Sequence, residues 1–218
     1  MHIKFDFEKK VPRRKKNYIE ISRLITRKLS KLFFISPPSI TIYIFKNRLA
    51  FMKAIKKRRV PDWLIAYVPP NSKTDIYLND VGEKRISREK LIRIFAHELT
   101  HLYINTCNPN LPDWVKEGIA VYMAKQIIYK KISRINWRKI APFKVPFQGL
   151  SWRKATKYDG YNVAGLFISF LVKRYKWRNF LKSISSYKRG SSFFKTIAND
   201  FGEGEEKIIK DFQKSFVK

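Results

Sequence analysis

The stretch LIRIFAHELTHLYINT, residues 91–106, sets two histidines one helical turn apart with a glutamate beside the first: His97-Glu98-Leu99-Thr100-His101. The chain has 3 histidines, and the other one, His2, stands near the N-terminus and is read as incidental. Lysine and arginine make up 47 of 218 residues, yet no lysine falls between Lys90 and Lys116. This is the longest lysine-free window in the chain, and Arg93 is its only arginine. Leu91, Ile92, Ile94, Phe95, Leu99, Leu102 and Tyr103 cover most of the circumference of a helix, and such a helix is expected to be buried. Ser87 suits its N-cap, with Ile86 and Leu91 at staple spacing around it.

Side chains at i and i+4 leave a helix on one face, roughly 6 Å apart. Two imidazole nitrogens so placed can reach one tetrahedral zinc ion at about 2.0–2.1 Å. Glu98 is badly placed to be a ligand but well placed to hold a water on the metal. Zinc lowers the pKa of such a water towards about 7, and the carboxylate can take its proton. The competing reading is a surface helix with two chance histidines. Burial weighs against it, because imidazoles and a carboxylate inside a protein need partners, and a metal supplies one to all three.

Two histidines leave a catalytic zinc site one protein ligand short. No histidine follows His101, and Cys107 is the only cysteine, so the third ligand is expected to be a carboxylate. The His-rich extended motif of the metzincins is excluded on the same count. Downstream, LPDWVKEGIA (residues 111–120) reads as a second helix starting near Pro112 or Asp113. The Asn-Pro-Asn of residues 108–110, in the connecting stretch Asn105 to Leu111, signals a turn. Residues 102–116 then give the chain length enough to end one helix, turn and bring Glu117 back to the metal. Glu117 sits in the first turns of its helix, where the dipole favours an anion. Gly118 beside it removes a side chain where two helices must approach closely. Asp113 is the rival ligand, although a cap or first-turn role already accounts for it.

AHELTHLYI followed by LPDWVKEGIAVYMA resembles the gluzincin branch of the zinc metallopeptidases, and more narrowly the peptidase-MA-like domains, which carry HExxH and then a W-x-x-E-G-x-A helix. The likeness runs over roughly residues 39–218. Ser39 to Phe45 and PDWLIAYVPPNSKTDIYLND are similar to the family's strands before the catalytic helix. GYNVAGLFISFLVKRYKWRNFLKSI is similar to its tyrosine-led helix and the next one, and SSFFKTIANDFGEGEEKIIKDFQKSF to its closing helices. The resemblance implies a zinc-dependent peptidase acting on peptide or protein substrates, with His97, His101 and Glu117 as ligands and Glu98 as general base. It also implies Tyr161 as the tyrosine near the oxyanion, a position equally consistent with a core residue. In the family the strand just before the catalytic helix, here Asp75 to Leu78, is the sheet edge lining the cleft; an ordinary core or edge strand fits the sequence as well. Where family members often have tryptophan in the last helix this chain has Phe212, a change expected to touch packing rather than chemistry. Val121 stands one turn after Glu117 where an aspartate would serve as an orienting group, which leaves that group unidentified.

The chain is expected to fold as a single domain over residues 18–218, preceded by a basic, partly flexible arm over residues 1–17. A first helix is expected from about Tyr18 to Phe34, with Ile21, Leu24, Ile25, Leu29, Leu32 and Phe33 on its buried face. Ser39 to Phe45, Trp63 to Val68 and Asp75 to Leu78 read as strands, with Pro69 to Ser72 as a turn and Asn47 to Lys57 as a short helix. Residues 140–158 read as an irregular loop, and three helices are expected to close the chain. Strands precede helices in blocks, which predicts an α+β fold: a small mixed or antiparallel sheet, then a mostly helical region that the resemblance makes zincin-like.

The formal net charge is +30. The positive residues cluster at Lys9 to Lys16, Lys53 to Arg59, Lys130 to Lys139, Arg153 to Lys157 and Lys173 to Arg178. One reading is a footprint for nucleic acid or an anionic surface; the other is a lysine-rich composition spread over a solvated exterior. The first gives the alternative function, a catalytically silent or latent gluzincin-like module that binds through its basic face. One cysteine precludes an intramolecular disulfide. The N-terminal residues hold no apolar run and no stretch reaches membrane-spanning length, so a cytoplasmic protein is expected.

Overall fold

In ITIYIF, residues 40–45, isoleucine alternates with polar or aromatic residues, and this period of two makes the segment the second strand of the protein. The structure is a computed structural model and describes residues 3–7, 15–36, 39–45, 47–79, 87–128 and 159–215. The chain divides into two compact units, Met1–Thr106 and Cys107–Lys218. Its fold is α+β.

The first unit contains β1 (Ile3–Phe7), α1 (Lys15–Phe33), β2 (Ile40–Phe45), α2 (Arg48–Ala54), β3 (Ala66–Tyr67), β4 (Asp75–Asn79) and nearly all of α3 (Arg88–Cys107). The sheet is mixed, in the order β1-β2-β4-β3, with β2 parallel to both β1 and β4 and with β3 antiparallel to β4. Ile42 lies opposite Ile76 and Ile44 opposite Leu78, so one face is a continuous aliphatic layer, fully buried. On the other face Tyr77 stacks on Tyr43 (ring centroids 5.0 Å apart) and on Phe45 (6.1 Å).

Three expectations are corrected here. Part of the stretch read as an arm, Ile3–Phe7, is a strand; its Ile-x-Phe-x-Phe alternation is the signal, set among charged residues that hid it. β4 is not a sheet edge. It pairs with β2 along its length, and β3 covers Tyr77 and Leu78 on the other side, continued by the bond from the Asn79 amide to the Ile65 carbonyl at 2.7 Å. A substrate strand therefore finds no open ladder along that part of β4. The strand expected over Trp63 to Val68 shrinks to two residues because a turn, closed by the Leu64 amide on the Pro61 carbonyl at 3.0 Å, carries Trp63 out to solvent.

α1 buries Tyr18, Ile21, Ile25, Leu29 and Phe33, and with them Ser22 and Thr26, whose hydroxyls donate to the carbonyls of Ile19 (3.1 Å) and Ser22 (2.7 Å). Leu24 and Leu32 are exposed instead: Leu24 falls off the buried arc and Leu32 sits at its rim in the last turn. α1 and α3 run in the same sense, joined by Tyr18 against Phe95 and Phe33 against Tyr103. The Tyr103 hydroxyl donates to the Thr26 carbonyl at 2.9 Å and also meets the Ser30 hydroxyl.

The second unit is helical among the described residues: α4 (Asp113–Met123), α5 (Gly160–Tyr175), α6 (Trp177–Ser186), α7 (Phe193–Phe201) and α8 (Glu205–Lys214). Four helices thus follow residue 159, where three were expected. The chain breaks at Lys176, whose φ is 67°, and at Gly202, a left-handed C-cap with φ 64°. Trp114, Phe167, Phe180, Phe193, Phe194 and Phe212 form the aromatic core. Phe212 meets the Phe167 ring edge to face at 4.8 Å, a packing role as expected for that position. Arg174, counted above in a basic cluster, is bound within the fold: its guanidinium donates to both Glu203 oxygens and to Asp211 at 2.8 Å. Burial would raise the Glu203 carboxyl, but hydrogen bonds from Arg174, Tyr175 and Lys207 hold it below its ordinary range. No helix among the described residues is long and apolar enough to cross a membrane. Residues 140–158, Ile86 and the clusters Lys130 to Lys139 and Arg153 to Lys157 lie outside the described residues, as does most of the stretch 1–17.

Candidate metal centre

α3 starts where the Lys90 amide donates to the Ser87 hydroxyl at 3.2 Å, the N-cap expected there. From Ile94 to Cys107 it has no exposed residue. His97, Glu98 and His101 are half-buried among the fully buried Phe95, Leu99 and Leu102. The two imidazoles are neighbours, with centroids 4.9 Å apart and planes at 71°. Thr100, within the motif, turns its hydroxyl back onto the Ala96 carbonyl at 2.6 Å and so satisfies itself inside the helix.

The helix was expected to end by Asn105, but it runs to Cys107, and residues 108–112 make the turn. Asn108 is buried and fully used. Its side-chain oxygen accepts from the Asn110 amide at 3.0 Å, and its Nδ2 donates to the carbonyls of Ile184 (2.9 Å) and Tyr187 (2.8 Å). Lys116 closes the turn from the other side, its Nζ donating to the Pro109 carbonyl at 2.7 Å. Burial lowers the pKa of this amine below its ordinary value, and the charges of Asp113 and Glu117 offset only part of that. These bonds fix where α4 begins within the second unit. Nothing in the sequence flags Asn108 beyond its turn propensity, because its partners lie more than 70 residues away.

Two further residues of the W-x-x-E-G pattern set the pose of α4. Trp114 stacks on Phe194, with centroids 5.3 Å apart and planes at 11°. Gly118 is where α4 meets α5: a Cβ there would lie 2.8 Å from both the Ala164 carbonyl oxygen and Ile168 Cγ1. Val121 packs against Gly165 on the same side, so an aspartate in its place would be buried against α5.

Among the described residues, one group of histidine, cysteine, aspartate or glutamate side chains could hold a metal ion: His97, His101 and Glu117, whose ligand atoms all lie within 4.8 Å of one another. A tetrahedral ion with bonds of about 2.0–2.2 Å needs ligand atoms about 3.3–3.6 Å apart, inside that bound. Two imidazoles and one carboxylate are also a donor set proper to catalytic zinc, with one position left for water. The residues present therefore fit the ion. Oε2 of Glu117 is shielded from solvent. Asp113, the rival ligand, is exposed at the start of α4 and is not in the group. Tyr161 is half-buried in the first turn of α5. Its neighbour Asn162 clasps the backbone of Ile128, accepting from the amide at 2.8 Å and donating to the carbonyl at 3.2 Å.

No family model matches the chain, and neither a curated protein nor a solved structure matches it.

Proposed function

We propose that this chain is a zinc-dependent peptidase that hydrolyses peptide bonds with water as the nucleophile. The observation that carries this reading is the grouping of His97, His101 and Glu117, with Glu98 adjacent to the first of them. When bound, zinc supplies Lewis acidity, which polarises a carbonyl and makes water nucleophilic at neutral pH. His97 and His101 would hold the ion through ring nitrogens and Glu117 through a carboxylate oxygen. Glu98 accepts the proton of the attacking water and passes it to the leaving amine. Tyr161 donates to the oxygen on which charge develops. The positive balance of the chain favours peptide or protein substrates with acidic segments.

Metal analysis paired with a broad peptide-library cleavage assay tests the reading. Glu98→Gln should keep its zinc and lose about 10²–10⁴-fold in hydrolysis, the usual worth of a general base. Glu117→Ala should lose the zinc. Full hydrolysis by the first variant sinks the mechanism, and stoichiometric zinc in the second rejects Glu117 as a ligand.

A further inference from the structure

The excursion between β2 and β3, residues 47–65, carries two of the most exposed large apolar side chains among the described residues, Leu49 at 70% and Trp63 at 66%. Arg48 draws their two segments together. Its guanidinium donates to the carbonyls of Val60 and Pro61, each at 2.8 Å, and pairs with Asp62 at 3.3 Å. Leu49 follows Arg48 and Trp63 follows Asp62, so this clamp holds both near the start of α2. The same excursion holds six cations, Arg48, Lys53, Lys56, Lys57, Arg58 and Arg59, against the single carboxylate of Asp62. All but Arg48 are exposed. Single exposed apolar side chains are ordinary, but a leucine and an indole on segments clamped together and rimmed by cations mark a contact patch.

We propose that this knob docks on an anionic phospholipid surface, with Leu49 and Trp63 entering the boundary between headgroups and acyl chains and the lysines and arginines meeting the phosphates. The chemistry separates this occupant from nucleic acid, the other polyanion that a basic patch attracts. A nucleobase stacks on a ring, and Leu49 has none, whereas an acyl layer accepts leucine and the indole alike. Tryptophan also favours the membrane interface, with its apolar body inside and its N–H at the wet side. The contact is peripheral and needs no spanning helix. It is independent of the zinc chemistry, since none of its residues belongs to the metal group.

The full chain is tested by co-sedimentation with vesicles of equimolar phosphatidylcholine and phosphatidylglycerol, and with vesicles of phosphatidylcholine alone. Binding should require the anionic lipid. It should fall at least about tenfold in Leu49→Ser/Trp63→Ser, since burying each such side chain is worth more than that factor. It should fall by about tenfold or more in Arg58→Gln/Arg59→Gln, at about fivefold per cation near the surface. These side chains are exposed, so circular dichroism should find both variants folded. Absence of vesicle binding, equal binding to phosphatidylcholine alone, or binding unchanged in Leu49→Ser/Trp63→Ser overturns the proposal. So does tighter binding to single-stranded RNA, or a dimer in solution, that the same double variant abolishes.

Discussion

Helices α1 and α3 are 19 and 20 residues long and lie against each other, yet they treat the chain's excess of positive charge in opposite ways. α1 has one buried arc and exposes Arg23, Arg27, Lys28 and Lys31 on the other. α3 exposes its cations, Arg88, Lys90 and Arg93, only in its first two turns, and from Ile94 to Cys107 it has no exposed residue. Lysine and arginine thus fill outward positions of α1 and are missing from the stretch of α3 that has none. The difference also isolates His97, Glu98 and His101. They are the titratable side chains of α3 between Arg93 and Tyr103, in a helix otherwise lined there by apolar residues and threonine.

The comparison breaks if the two helices respond alike to the same truncation. Leu99 is fully buried in α3, and Leu99→Ala should cost about 2–5 kcal/mol of folding free energy. Leu24 in α1 is 44% exposed, and Leu24→Ala should stay within about 0.5 kcal/mol. Urea unfolding followed by circular dichroism measures both. Equal losses would mean that the lysine-free window does not mark burial.

A smaller effect sharpens the same contrast in α4, where Gly118 lets α5 approach. Gly118→Ala puts a methyl group 2.8 Å from the Ala164 carbonyl oxygen, which is backbone and cannot swing aside. A loss of about 1–3 kcal/mol is expected, with a matching fall in melting temperature. If the stability is unchanged, the glycine beside Glu117 serves something other than the crossing of α4 and α5.

What the sequence revealed follows from how far each signal reaches. The strand at residues 40–45, the helix through His97 and His101 and the start of α4 at Asp113 were all readable, because periodicity and caps are local. The grouping of His97, His101 and Glu117 was readable because the inventory of histidine and cysteine is so short that little besides Asp113 competed with Glu117. The inner position of β4 was not readable: it depends on a two-residue strand, β3, with no pattern of its own. Nor was the role of Asn108, or the capture of Arg174 by Glu203 and Asp211, since those partners meet only after folding. β1 was missed for a different reason. Its alternation was present, but it is only five residues long and lies among charges.

The seam between α1 and α3 supplies the finest test. Tyr103 is wholly buried, yet its hydroxyl is satisfied entirely from α1, by the Thr26 carbonyl and the Ser30 hydroxyl. Burial first, against the lowering effect of the Ser30 hydrogen bond, raises its pKa above the usual value for tyrosine, so it acts as a neutral donor. Tyr103→Phe keeps the ring against Phe33 and removes only this anchor, at an expected cost of about 1 kcal/mol. Ser30→Ala removes one of its two partners and should cost less. The double variant should lose less than the sum of the two, because each single change already breaks the shared bond. Strict additivity would show that the Ser30 hydroxyl adds nothing to the anchor, leaving the Thr26 carbonyl as the polar partner that ties Tyr103 of α3 to α1.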